Sequence, residues 1–218
     1  MTTRFIKEIE MLKRELLSLA GMVEQQVHRA VESIERMDTE QAQSVIDWDE
    51  AIDNREVEVE EECLKVLALY QPVAIDLRFI VAVMKINNDL ERVGDLAVTI
   101  AKRTLRLEPL KRVEIPFAFA HMAKKAMAML KTSIDALVKM DPDMASEVCA
   151  ADDEIDEINK NMYDRVKEGI KASPEDVAVF IHYLSVSRAL ERIGDYATNI
   201  AEDAIYLIKG RIIRHTNT

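Results

Sequence analysis

Two nearly identical twelve-residue stretches lie 100 positions apart in this sequence of 218 residues. The first, LERVGDLAVTIA, runs from Leu90 to Ala101, and the second, LERIGDYATNIA, runs from Leu190 to Ala201. Each copy has a glycine in the middle of a phrase that otherwise favours helix. Repetition at this distance indicates an internal duplication, so the fold must accommodate two copies of one structural plan.

Apolar residues at helical spacing, interrupted by few breakers, divide the chain into six predicted helices. We predict Asp38 or Thr39 as the N-cap of the second helix and Ser173 as the cap before the last, with Pro174 at its first position. In the third helix, apolar residues alternate in steps of four and three, which is typical of a coiled-coil-like seam. The predicted helices cover approximately residues 4–37, 39–70, 73–107, 117–139, 144–170 and 174–209.

Helix order and breakers both recur after about 100 residues, so we predict an all-α protein built from two tandem three-helix bundles. Only five glycines and five prolines occur in the chain, as expected for long helices. The predicted first repeat covers residues 1–107, the connector 108–116 and the second repeat 117–218, with Pro109 and Pro116 bracketing the connector. A single irregular six-helix bundle is the alternative.

Charge and hydropathy exclude several classes of function. A formal net charge of −11 disfavours binding to nucleic acid, whose backbone is also negative. Cys63 and Cys149 form no Cys-x-x-Cys motif, which suits a reducing compartment. The longest apolar run, FIVAVM, is too short to span a bilayer, and the charged N-terminal segment does not resemble a signal peptide. We therefore expect a cytoplasmic protein that meets membranes only through partners.

Acidic residues four positions apart recur in both halves, and residues at this spacing share one helix face. The second and third helices are joined by a short turn and should be antiparallel, so residues equidistant from the turn lie at one level. Asp49 and Asp95 each lie 23 residues from Pro72, and Asp53 and Glu91 each lie 19 residues from it. Equal spacing also holds around the Ser173–Pro174 turn. The converging residues are Asp49, Asp53, Glu91 and Asp95 in the first half, and Asp152, Asp156, Glu191 and Asp195 in the second.

Helical rotation places these carboxylates off the apolar seam, on an outer groove of each bundle. Like charges at about 5 Å repel by roughly 3 kcal/mol at an effective dielectric constant near 20, so a cation should offset them. Salt bridges from Arg92 and Arg192 are one solution. A divalent or trivalent metal ion is the other, and we favour it; iron, manganese, magnesium, calcium and zinc are the candidates. The paired glycines, Gly94 and Gly194, then indicate a close approach of another group, or only shared origin.

Three classes of function remain open at this point. The first is a regulatory binding protein without turnover, the second a carboxylate-bridged metalloenzyme or metal-storage bundle, and the third a metal-free helical scaffold. The sequence has no Glu-x-x-His motif of di-iron bundles, no nucleophile–base set and no glycine-rich phosphate loop. The four histidines show no spacing to the acidic pairs, and no basic pocket for a phosphate anion is visible.

With these residues in view, the chain resembles the PhoU family of phosphate-transport regulators over essentially its whole length. The segments QPVAIDLRFI, NNDLERVGDLA and ALERIGDYATNIAED carry the resemblance. It implies a cytoplasmic, often homodimeric, non-enzymatic protein that represses phosphate-starvation genes when phosphate is plentiful. It also implies two partners, the ATPase subunit of the phosphate ABC transporter and a sensor histidine kinase, and metal clusters bound through the acidic pairs identified above.

The two halves depart from each other beyond the repeated acidic pair. Asn199 and Glu202 add two oxygen ligands in the second half, where the first half has Thr99 and Lys102. A lysine facing a cation site weakens it by charge repulsion. We therefore predict the stronger metal site in the second half, with Asn199 and Glu202 among its ligands.

Overall fold

A computed structural model describes residues 3–110 and 119–210, and the described residues form helices without any strand. A 3₁₀ turn at Pro174–Asp176 precedes the last helix. The observed order confirms the all-α prediction. The helices are α1 (Thr3–Arg36), α2 (Thr39–Tyr70), α3 (Ala74–Leu107), α4 (Phe119–Lys139), α5 (Pro142–Ala172) and α6 (Val177–Lys209).

Side-chain caps explain where several helices begin. The Asp38 carboxylate accepts a hydrogen bond from the backbone N–H of Gln41 at 2.9 Å, so the predicted cap of α2 is confirmed. Helix α5 begins two residues before the predicted Met144, because Asp141 caps it and Pro142 occupies its first turn. Ser173 occupies the cap position with Pro174 directly after it, as predicted, but the Ser173 side chain makes no capping hydrogen bond, and the turn that follows is 3₁₀ before α6 begins.

Each half folds as a three-helix bundle around its apolar stripes. In the first half α1 and α3 run parallel, since Lys13 lies 5.8 Å from the ring of Phe79 and Ser33 lies 3.0 Å from Thr104 near the other end. Helix α2 runs antiparallel to both. The predicted seam of α3 is confirmed, because all of its members are buried: Phe79, Val83, Ile86, Leu90, Val93, Ala97 and Ile100.

The two bundles pack against each other through α3 with α6 and α1 with α4, and they share a continuous apolar core. Helices α3 and α6 cross in opposite directions. Lys85, in the first half of α3, lies 3.2 Å from the buried carboxylate of Asp203, near the end of α6. At the other contact, Glu35 of α1 accepts a hydrogen bond from the backbone N–H of Ala120, in the first turn of α4.

The predicted boundaries of the two repeats stay a prediction. Helix α3 ends at Leu107, as expected, but most of the predicted connector, including Pro116, lies outside the described residues. The predicted start of the fourth helix near Phe117 lies outside them too. Among the helices that are described, none combines the length and the hydrophobicity needed to cross a membrane.

Candidate functional site

The glycine of the first repeated phrase lies where side chains of α2 come close to the backbone of α3. A Cβ atom on Gly94 would lie 3.6 Å from Oδ1 of Asp49 and 3.5 Å from Cγ2 of Ile52, both on α2. It would also lie 3.1 Å from the side-chain oxygen of Gln26, on α1. The expected close approach is therefore confirmed, and it brings an acidic residue of α2 against the acidic face of α3.

Gly194 plays the same part in the second half. A Cβ atom at this position would lie 3.5 Å from Oδ1 of Asp152 and 3.2 Å from Cδ1 of Ile155, both on α5. Asp152 stands in the second half where Asp49 stands in the first. The duplication thus preserves a contact between a glycine of one helix and an aspartate of its neighbour.

The first acidic cluster, which comprises Asp49, Asp53, Glu91 and Asp95, converges as predicted. Burial raises the pKa of Asp49, a hydrogen bond from Gln26 opposes that shift, and the charges of Asp53 and Asp95 raise the pKa further. Burial also raises the pKa of Glu91, with further repulsion from Asp95 and Asp53. Carboxylates of α2 and α3 therefore repel each other across the hairpin, as expected if the four groups lie on the same side of it.

The second acidic cluster, which comprises Asp152, Asp156, Glu191 and Asp195, is perturbed more strongly. Burial raises the pKa of Asp152 to about 6, and repulsion by Asp156 and Asp195 adds to the effect of burial. The pKa of Glu191 is raised by burial and then by Asp195 and Asp156, and that of Asp195 by burial and then by Asp156. Thr198, whose hydroxyl donates to the carbonyl oxygen of Gly194 at 3.2 Å, offsets only part of the rise in the pKa of Asp152.

Gln26 of α1 is a site residue that sequence reasoning missed. It is fully buried, and its amide nitrogen donates to Oδ1 of Asp49 at 2.9 Å and to the carbonyl oxygen of Val45 at 3.4 Å. An amide on an otherwise apolar stripe was the available signal, because buried polar groups usually have a specific partner. The duplication places the apolar Met129 at the corresponding position of α4, so the second acidic cluster lacks this donor.

Arginines compensate the acidic clusters only in part. Nε of Arg92 lies 3.4 Å from Glu91 and its Nη1 lies 3.4 Å from Asp95, but the Arg92 side chain is 53% exposed. Ion pairs in such contact with solvent contribute little to stability. Arg192 makes no ion pair with any residue that the structure describes. The predicted salt-bridge solution therefore exists in the first cluster and is weak there.

A polar cleft of about 350 Å³ opens beside the first acidic cluster and joins the two bundles. Asp49 and Asp95 line it together with Lys102, which confirms that the lysine faces this cluster. Arg192 and Tyr196 reach the same cleft from α6. In the second half, Glu202 lies near Cys149: burial raises the pKa of that thiol, and the charges of Glu202 and Asp152 raise it further.

Comparison with known proteins identifies the family. The family model described as PhoU domain matches residues 16–104 and 119–204. The chain belongs to the PhoU family. A PhoU homologue of Clostridium acetobutylicum, named as a phosphate-specific transport system accessory protein, is 38% identical over 95% of each chain. A homologue of Pseudomonas aeruginosa with the same description is 35% identical over 97% of this chain and 88% of its own length.

Solved structures of PhoU proteins share the fold. The crystal structure of PhoU from Pseudomonas aeruginosa superimposes with a TM-score of 0.88 at 34% identity, covering 95% of this chain and all of that one (100%). The phosphate transport system regulatory protein PhoU from Streptococcus pneumoniae gives a TM-score of 0.85 at 30% identity, covering 96% and 99%. The tandem arrangement of two PhoU bundles is thus confirmed.

The donor chemistry of this PhoU protein suits a hard cation, although the side chains are not gathered into a finished site. Carboxylate oxygens are the ligands that such ions prefer, and the buried Oε2 of Glu91 has only the weak ion pair with Nε of Arg92 and no hydrogen bond. Yet within residues 3–110 and 119–210, no three His, Cys, Asp or Glu side chains are grouped closely enough to hold a metal ion. Metal ligation by both acidic clusters, and by Asn199 and Glu202, stays a prediction.

The raised pKa of Asp152 predicts a pH-dependent stability for the metal-free protein. Because the pKa of Asp152 in the folded protein, about 6, lies above the ordinary aspartate value of 3.8, the contribution of this group to stability is fully present below pH 4 and is lost as pH rises through 6. Asp152→Asn should therefore stabilise the chain by about 1 kcal/mol at pH 8, after allowance for solvent screening, and by much less at pH 4.

Urea unfolding of the chelated protein at both pH values measures this difference. Asp164→Asn, at an exposed position on the same helix, is the matched control and should show no such pH dependence. An equal effect of Asp152→Asn at pH 4 and pH 8 would contradict the account of the second acidic cluster.

Proposed function

We propose that this chain is a regulatory accessory protein of bacterial phosphate transport. It keeps phosphate-starvation genes repressed while phosphate is plentiful. The observation that carries the proposal is the likeness to proteins named for this system, which extends in sequence and in fold over both bundles. Likeness confined to one bundle would have supported the fold alone.

The proposed mode of action is protein contact rather than chemistry. The acidic clusters are built from partly exposed side chains on the surface of each bundle, where water reaches them, whereas di-iron enzymes enclose their carboxylates between helices. We propose that the chain, as a homodimer, connects the ATPase subunit of the phosphate transporter to a sensor histidine kinase. Contact with the membrane is then made through these partners.

Complementation in a bacterium that lacks its own PhoU protein tests this role. In phosphate-rich medium the chain should restore repression of a phosphate-starvation reporter, and tagged chain should co-purify with the transporter ATPase subunit and the kinase. The matched comparison is the same strain with empty vector. Normal accumulation of folded chain, with the reporter still fully induced, would contradict the proposal.

We further propose that the acidic clusters bind metal ions, with iron, manganese, magnesium or zinc as the candidates. A bound cation would supply electrostatic attraction between the two helices of each hairpin. Asp53 and Asp156 are exposed and have no ion pair among the described residues, so their carboxylates can turn toward an ion that is not present beforehand. Asp95 would give up its weak contact with Arg92 to join them. Each cluster would then hold its metal through these residues and their half-buried neighbours.

The second cluster is proposed as the stronger site. Lys102 lines the cleft beside the first cluster, and its positive charge competes with a metal ion for the same carboxylates. The corresponding residue beside the second cluster is the acidic Glu202. The carboxylate of Glu202 attracts a cation to the second cluster, whereas the ammonium group of Lys102 repels a cation from the first. The alternative, a carboxylate-bridged storage protein or enzyme, would require turnover or mineral loading.

Metal analysis of paired variants tests the asymmetry. Glu191→Ala with Asp195→Ala should remove most bound metal, whereas Glu91→Ala with Asp95→Ala should remove less, because the first cluster is partly neutralised by Lys102 and Arg92. Glu157→Ala with Asp164→Ala, which removes two exposed carboxylates of α5, should leave the metal content unchanged. Equal losses from the two cluster variants would contradict the predicted difference, and oxidase activity of the loaded protein would favour the alternative function.

A further inference from the structure

The crossing of α3 and α6 brings three basic side chains together in an otherwise acidic molecule. Arg103 and Arg106 lie one turn apart near the end of α3, and His182 lies in the first turns of α6. Burial lowers the pKa of His182, and the charges of Arg103 and Arg106 lower it further. Because α3 and α6 run antiparallel and Lys85 meets Asp203, the same register places Arg106 level with His182. No carboxylate is among the groups that shift the pKa of this histidine.

Two buried nitrogen atoms of this basic cluster lack partners among the described residues. Nε of Arg103 and Nδ1 of His182 are hidden from solvent and have no hydrogen-bond partner. Within the part of the chain that the structure describes, neither arginine forms an ion pair and the histidine has no acidic partner. Buried donors that reach neither water nor an acceptor destabilise a fold by roughly 1–3 kcal/mol each, so an acceptor is expected to enter.

The internal duplication shows what is missing at this position. At the opposite end of the α3–α6 contact, Lys85 forms an ion pair with the buried Asp203. The repeat relates Asp203 to Arg103 and Lys85 to Ser185. One end of the crossing thus contains a cation and its anion, whereas the other end has an arginine where the carboxylate would stand. The negative partner has been exchanged for a positive group, and no acid replaces it.

We propose that Arg103, Arg106 and His182 form a binding site for a small oxyanion of the phosphate type. An arginine guanidinium presents parallel N–H donors that match two oxygens of such an anion, and two arginines one turn apart can grip it from two sides. The imidazole of His182 adds a third donor from α6. The bound anion would link the two bundles across α3 and α6, as Lys85 and Asp203 do at the other end.

Sequence analysis found no basic pocket for a phosphate anion, and the residues of the proposed site show why the pattern gives no sign of one. His182 lies 76 positions after Arg106 in the chain, and none of the three residues belongs to a recognisable motif. Only the antiparallel crossing of α3 and α6 brings them together. The proposal rests on these residues and not on the proposed regulatory role, so either can fail alone.

Phosphate titration of the purified full chain tests the site. The protein is stripped of metal and dialysed free of chelator, so that phosphate cannot bind through a metal ion, and ionic strength is held constant with chloride. NMR titration of the His182 ring follows its pKa with and without inorganic phosphate. Phosphate should raise the pKa of His182, because a bound anion favours the imidazolium. An unchanged pKa at 10 mM phosphate, a concentration about tenfold above a millimolar dissociation constant, would overturn the proposal.

Variants separate a specific site from general charge attraction. Arg103→Gln should lower the affinity for phosphate about tenfold or more. Arg103→Lys keeps the charge but loses the paired donors, so its affinity should lie between those of Arg103→Gln and the native chain. Arg14→Gln, which removes an exposed arginine of α1, is the control for net charge and should bind normally. Equal weakening by Arg103→Gln and Arg14→Gln would overturn the proposal. Circular dichroism confirms folding, and if Arg103→Gln does not fold, Arg106→Gln replaces it with the same expectations.

Discussion

The contact between a glycine of one helix and an aspartate of its neighbour governs the rest of this structure. Gly94 admits Asp49, and Gly194 admits Asp152, close to the backbone of the adjacent helix. Once the helices are this close, the acidic residues on both must face each other, because antiparallel hairpins fix their level. The fold therefore brings like charges together near a partly buried surface, an arrangement that raises their pKa values and favours a cation.

Duplication has preserved this contact while changing what surrounds it. In the first half the amide of Gln26, the ammonium of Lys102 and the guanidinium of Arg92 all act on the carboxylates. In the second half Thr198, whose hydroxyl donates to the carbonyl oxygen of Gly194, opposes only part of the rise in the pKa of Asp152. These groups offset the first acidic cluster only in part, because the pKa values of Asp49 and Glu91 are still raised. In the second cluster, Arg188 and Arg192 oppose part of the rise in the pKa values of Glu191 and Asp195. The two halves thus share the glycine–aspartate contact but differ in the polar groups that offset the charge of their carboxylates.

Local sequence patterns were sufficient for the helices and for the acidic clusters. Apolar spacing and breakers predicted the helices because long amphipathic segments leave little ambiguity, and equal distances from Pro72 predicted that Asp49 meets Asp95. Features that depend on packing between distant helices were missed. The sequence pattern gave a weak signal for Gln26 and none for the position of His182 near Arg103, because α1, α3 and α6 are brought together only by tertiary structure. The missing side-chain hydrogen bond of Ser173 is a local feature, since a 3₁₀ turn rather than an α-helix begins at Pro174.

A double-mutant cycle across the α5–α6 contact tests the central account most directly. The free energy of unfolding of the metal-free chain is measured at pH 8 for Asp152→Asn, Asp195→Asn and the double variant. If the two carboxylates repel each other, removing either charge stabilises the fold, and the double variant gains less than the sum of the single variants by about 0.5–1 kcal/mol. Strictly additive effects would show that the two carboxylates do not interact, and the account would then be wrong.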